Sequence, residues 1–245
     1  MTTATPHIPA PVPSISFADQ AYNPRLQINI AQQGFEHATE AQCHALPVAL
    51  AGKDLLMSAD TGSGKTLAYV IPALNKILNT KAVGFSTRCL ILVPTRELAH
   101  QVLSLTNKLI KGTKVKAALI LGGEDYHYQQ ALLRKNPDIV VATPGRFMEH
   151  QRKNQTDTKH LELLVIDEAD RMLELGFCED VEMIAGACNP KRQTLFYSAT
   201  LHSPKVQEMA QVLLKKPVDI RLNDATQVQE NIKQMVVVCD EIEHK

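Results

Sequence analysis

A chain of 245 residues with 44% hydrophobic content has room for one α/β domain of about 200 residues around its own core. Lys plus Arg and Asp plus Glu balance at 26 each, which excludes polyanion binding by bulk charge and leaves any nucleic-acid contact to local geometry. Cys43, Cys89, Cys178, Cys188 and Cys239 are scattered, without a C-x-x-C pair; they argue against a zinc site or disulfide framework and for a reduced, cytoplasmic setting.

Residues 1–15 carry Pro6, Pro9, Pro11 and Pro13 with little to bury, and read as a flexible leader rather than a secretory signal. No apolar run approaches membrane-spanning length, so no membrane contact is expected. A helix begins at Thr39. Strand-like apolar runs then alternate with helical stretches. Leu55–Ala59 precedes a helix over Thr66–Leu78, Cys89–Val93 one over Arg96–Lys111, and Ala117–Leu121 one over Tyr126–Lys135. Ile139–Ala142 leads to Thr143 and Pro144, a pair suited to start a helix. Leu163–Ile166 follows, then a helix over Val181–Ala187, the strand Thr194–Tyr197, a helix over Pro204–Leu214 and the strand Val218–Leu222. This alternation predicts a mostly parallel β-sheet with helices on both faces. The domain is expected over 16–222. Residues 223–245 read as a linker, and Ile232–Val238 as an apolar pattern that a second domain would complete.

Two strings carry the chemistry. ADTGSGKT at Ala59–Thr66 follows the first strand and opens a helix. Gly62 and Gly64 permit a tight turn, so that backbone N–H groups of Thr61, Gly62, Ser63 and Gly64 point at an anion. Lys65 supplies charge for outer phosphates, and the Thr66 hydroxyl is a ligand for Mg²⁺. Ala59 stands where the strict pattern has its first Gly. LLVIDEAD at Leu163–Asp170 delivers Asp167 to the carboxyl edge of the sheet as a second metal-holding group, with Glu168 beside it to orient or deprotonate water. The pair reads as a site that hydrolyses a nucleoside triphosphate. A P-loop kinase is the rival, but it lacks a use for Glu168 and calls for an Arg-rich lid that this chain does not show. A nucleotide-switched binding module is the rival outside enzymology.

Other motifs lie around these two: PTRELAHQ at Pro94–Gln101, Gly122–Gly123, TPGR at Thr143–Arg146 and SAT at Ser198–Thr200. With DEAD at Asp167–Asp170, the series resembles the ordered motifs of the first RecA-like domain of the DEAD-box RNA helicases, from Phe17 to about Leu222. The resemblance implies a RecA-like P-loop NTPase fold and hydrolysis of ATP with Mg²⁺. It also implies an RNA partner and a second RecA-like domain that supplies an arginine and half of the RNA groove, with this segment a monomer. Some similarity is to bacterial members concerned with ribosome assembly. Thr95, Arg96, Gly122, Gly123, Thr143, Gly145 and Arg146 would then hold an RNA backbone. From the residues alone, Thr95 and Thr143 are equally helix caps. Ser198 and Thr200 would hydrogen-bond toward Asp170 to couple hydrolysis to strand separation; alternatively they cap the following helix. GFEHATEAQ at Gly34–Gln42 matches the family's adenine-reading element, in which Gln42 pairs with adenine N6 and N7 and Phe17 packs near the base. Ala38 and Ala41 depart from that element's usual residues, which predicts modest base selection.

Overall fold

Seven short strands form one all-parallel sheet in the order β3-β4-β2-β5-β6-β1-β7. They are β1 (Leu55–Ser58), β2 (Cys89–Leu92), β3 (Ala117–Ile120), β4 (Ile139–Ala142), β5 (Leu163–Ile166), β6 (Gln193–Ser198) and β7 (Val218–Arg221). The structure, a computed structural model, describes residues 14–81 and 86–222. Most of the expected leader and all of the expected linker fall outside the described residues. The central strands β2, β4 and β5 are buried at every position, which is why they read as unbroken apolar runs rather than alternating ones.

Side chains nevertheless alternate between two cores. Cys89, Ile91, Val141, Val165, Leu195 and Tyr197 point into one. Leu90, Leu92, Val140, Leu164, Ile166 and Phe196 point into the other. The first core is covered by α1 (Pro24–Gln32), α2 (Glu40–Leu50), α3 (Lys65–Asn79) and α4 (Arg96–Leu109). Over the second lie α6 (Pro144–Arg152), α7 (Ala169–Glu174), α8 (Cys178–Ala187) and α9 (Pro204–Leu213), with α5 (Tyr126–Leu133) contributing Leu133.

The expected strands agree with the observed ones to within a residue at each end, and α8 starts three residues earlier than expected. Helix α1 has no counterpart in the sequence reading. Asn23 caps it by accepting from Arg25 N at 3.1 Å, with Pro24 in the first turn, the usual start signal for a helix. Its buried Asn29 donates to Leu109 O (2.7 Å) and Lys111 O (2.9 Å), so α1 satisfies carbonyls that the end of α4 leaves open.

Strand order decides what meets at the carboxyl edge. With β5, β6 and β1 adjacent, the loops after Ile166, Ser198 and Ser58 come together. With β3, β4 and β2 adjacent, so do those after Ile120, Ala142 and Leu92. The motif loops therefore fall into two groups along one edge, where ligands of open α/β sheets bind.

Candidate nucleotide site and its flanking loops

The phosphate loop turns through two left-handed glycines, Gly62 (φ 86°) and Gly64 (φ 91°). At Gly64 a side chain is excluded twice over. The conformation disfavours it, and a Cβ would lie 2.4 Å from Gln42 Nε2 and 3.0 Å from Thr39 Oγ1. Ala59 is buried at 1% exposure and is not among the residues with positive φ, so its methyl group is tolerated where the strict pattern has glycine. Lys65 is buried, and its ammonium donates to Ala59 O (2.7 Å) and Asp60 O (3.1 Å). The charge is folded onto its own loop. Beside it a hollow of about 290 Å³ is bounded by Thr39, Glu40, Asp60, Gly62 and Ser63. Thr61 and Gly62 are exposed, Thr66 half-buried.

Helix α2 is fastened to this loop at its first turn. Thr39 Oγ1 donates to Ser63 O at 2.7 Å, and Gln42 Nε2 donates to Gly64 O at 2.9 Å. Thr39 and Gln42 also form a capping box: Gln42 N donates to Thr39 Oγ1 (3.3 Å), and Thr39 N donates to Gln42 Oε1 (3.0 Å). The T-E-A-Q string carries that signal, which the sequence reading of Gln42 passed over. Phe17 is 2% exposed and packed in the first core.

Asp167 sits at the carboxyl end of β5, 2% exposed. Its Oδ1 accepts from Glu168 N at 3.0 Å and its Oδ2 from the Tyr69 hydroxyl at 2.9 Å. Burial pushes the Asp167 carboxyl up to about 6, against the opposing pull of Lys65. No Lys or Arg lies within ion-pair distance of it among the described residues. Glu168 adopts a left-handed backbone (φ 54°, ψ 53°) before α7, a conformation that bulky residues avoid and that clusters at functional sites. Nothing in the sequence announces it.

In the first turn of α7, Asp170 Oδ2 accepts from Thr200 N and Thr200 Oγ1, both at 3.1 Å. Ser198 does not reach Asp170, contrary to expectation. Its hydroxyl donates to Thr200 O at 2.8 Å and accepts from Thr200 N at 3.3 Å, so it shapes the turn that presents Thr200. Neither residue caps α9, which starts after Ser203.

In the second group of loops, Thr95 caps α4 by accepting from Leu98 N at 3.2 Å. Thr143 does not cap α6, as the sequence suggested. Its hydroxyl instead accepts from Gly122 N at 3.2 Å and joins two loops. Gly123 is left-handed (φ 81°), and a Cβ there would stand 2.9 Å from Arg96 Nη1; the bare backbone lets the exposed guanidinium lie close. Arg146 donates to Glu124 O at 2.8 Å and pairs with Glu149 at 2.9 Å. Gly145 is under no such constraint, since a Cβ would meet only ordinary contacts at 3.7 Å.

A parallel sheet with a glycine-rich loop after β1 and an Asp-Glu pair after β5 defines a RecA-like P-loop NTPase domain. The family model described as DEAD/DEAH box helicase matches residues 39–209, and the chain belongs to that family. ATP-dependent RNA helicase SrmB of Escherichia coli (strain K12) is 40% identical over 231 residues, covering 94% of this chain and 52% of that protein. ATP-dependent RNA helicase drs1 of Schizosaccharomyces pombe is 44% identical over 192 residues, 78% of this chain and 25% of that one. The crystal structure of a DEAD box protein from Methanococcus jannaschii superimposes with a TM-score of 0.79 at 32% identity, over 85% of this chain and 56% of that one. The chain thus spans about half the length of SrmB and a quarter of drs1.

Proposed function

We propose that residues 16–222 are the nucleotide-binding half of an ATP-dependent RNA helicase that remodels RNA. The observation that carries this reading is the convergence of Lys65, Asp167–Glu168 and Thr200–Asp170 on adjacent carboxyl ends of the sheet. The names of SrmB and drs1 support the ATP and RNA parts of it. The reading places this activity in RNA remodelling or ribosome assembly, in the cytoplasm.

Asp167 fits a divalent cation, being a buried carboxylate with no ion pair among the described residues. Asp167 and Thr66 would hold Mg²⁺, which when bound neutralises charge on the outer phosphate oxygens. The N–H groups of residues 61–66 grip those phosphates, and Lys65 exchanges the carbonyls of Ala59 and Asp60 for them. Glu168 orients the attacking water and takes its proton as ATP gives ADP and phosphate. Gln42 reads the adenine edge, with Phe17 supporting that wall. Thr95, Arg96, Gly122, Gly123, Thr143, Gly145 and Arg146 hold a single RNA strand by its backbone, without reading sequence. Asp170, Ser198 and Thr200 transmit the nucleotide state to that strand. A second RecA-like domain completes the reaction by adding an arginine, worth about 10³–10⁵ in rate.

The test fuses this chain to the half of SrmB that it does not span and measures phosphate release. RNA should stimulate release by the fusion, and Glu168→Gln should abolish it. Residues 1–245 alone should bind nucleotide as a monomer yet turn over very slowly. No RNA stimulation in a folded fusion would overturn the reading; robust RNA-stimulated release from 1–245 alone would show that the catalytic charge lies elsewhere.

A further inference from the structure

Helix α3 leaves the phosphate loop and is buried all round through Leu67, Ala68, Tyr69, Val70 and Ile71. The core needs only a ring at position 69. The residue present adds a hydroxyl, fully buried at 0% exposure, and such a group is costly unless it is bonded. It is bonded to Asp167 Oδ2, at 2.9 Å. Position 69 also lies three residues after Thr66, on the same face of the helix. A single phenolic oxygen therefore bonds one of the two side chains assigned above to the metal, from a position one helical turn beyond the other.

The other constraints on Asp167 come from the backbone. Its Oδ1 is held by Glu168 N, which the left-handed turn at Glu168 brings into place. The carboxylate is pinned at one oxygen by its own chain and at the other by Tyr69. Against the Tyr69 ring packs Tyr197, with centroids 5.5 Å apart. The hydroxyl of Tyr197 is equally buried but has no hydrogen-bond partner among the described residues. The two phenols thus provide a matched pair, one joined to the site and one not.

We propose that Tyr69 is a positioning residue for the metal: its hydroxyl, carried on the helix that bears Thr66, fixes the Asp167 carboxylate in the placement that a divalent cation requires. This rests on the nucleotide reading above. The residue touches neither substrate nor metal; it lowers the cost of ordering the carboxylate that does. Partners of this kind commonly change metal affinity by about 10–100-fold when removed.

The experiment is calorimetric titration of the whole chain with ADP, in Mg²⁺ and in EDTA, for the unmodified protein, Tyr69→Phe and Tyr197→Phe. Both variants keep the ring, and thermal melts establish that each is folded. Tyr69→Phe should leave ADP affinity in EDTA unchanged and reduce the gain conferred by Mg²⁺ by about tenfold. Tyr197→Phe should leave both quantities unchanged. An undiminished or larger Mg²⁺ gain in Tyr69→Phe overturns the inference, as does an equal loss in Tyr197→Phe, which would reduce the effect to packing. A folded, unmodified chain that fails to bind ADP in either buffer would instead overturn the nucleotide reading, and this inference with it.

Discussion

Gln42 Nε2 donates to the carbonyl oxygen of Gly64 at 2.9 Å, so the helix assigned to base recognition and the loop assigned to phosphate recognition share a hydrogen bond. The same side chain closes the capping box of α2. Gln42→Ala should therefore destabilise the nucleotide-free chain by about 1–3 kcal/mol, from a lost cap and a lost buried hydrogen bond. Urea denaturation measures this. Calorimetry with ADP and GDP should show a modest preference for adenine in the unmodified chain and none in the variant. Lower stability with the preference intact would leave Gln42 a purely architectural residue.

Lys65→Ala should weaken ADP binding by at least about tenfold, because a charge-assisted contact is worth about 1.5–3 kcal/mol. Part of that contact is already committed to the carbonyls of Ala59 and Asp60, which keeps the expected loss toward the lower end. Unchanged affinity by calorimetry would remove Lys65 from the phosphate grip.

The Asp167 carboxyl, raised by burial from 3.8 to about 6, gives a pH signature of definite sign. A raised carboxyl holds its proton more tightly in the folded state. Its ionisation therefore costs stability above about pH 6, and the cost disappears as pH falls toward 4. In EDTA, Asp167→Asn should be the more stable chain at pH 7.5, by up to about 3 kcal/mol. That advantage should shrink between pH 6 and 4. An advantage independent of pH in urea melts would show that burial of the charge is not its source.

Thr200→Val removes the hydroxyl that donates to Asp170 and keeps the backbone donor. Thr200 is exposed, so stability should change by less than about 0.5 kcal/mol, and ADP affinity should not move. In the SrmB fusion, strand separation of a fluorescent RNA duplex should fall while RNA-stimulated phosphate release persists. Parallel losses of both would assign Thr200 to hydrolysis itself rather than to its coupling.

The sheet is legible because its central strands, buried on both faces, are written as apolar runs of strand length, and Leu163–Ile166 is read to the residue. The phosphate loop was legible because left-handed turns need glycine, and Gly62 and Gly64 stand where those turns fall. Helix α1 is harder to see although Asn23–Pro24 marks its start, because no strand precedes it to set it in the strand–helix alternation. Side-chain partnerships were harder. Thr143 and Thr95 both precede a helix, yet only Thr95 caps one; the difference lies in Gly122, a neighbour that only strand order brings near. Tyr69 is one more bulky residue in a buried helix until β5 places Asp167 opposite it. Tertiary adjacency, not local pattern, decides such roles.

The left-handed backbone at Glu168 places the proposed water-activating residue in tension with the fold that carries it. Strain of this kind costs about 1–3 kcal/mol, and glycine at the same position would escape it. A population of this chain selected only for resistance to heat should drift toward Glu168→Gly and lose its chemistry in doing so. Retention of glutamate at 168 under such a selection would mean that the turn is held rigidly enough by its neighbours for the strain to bring no advantage when relieved.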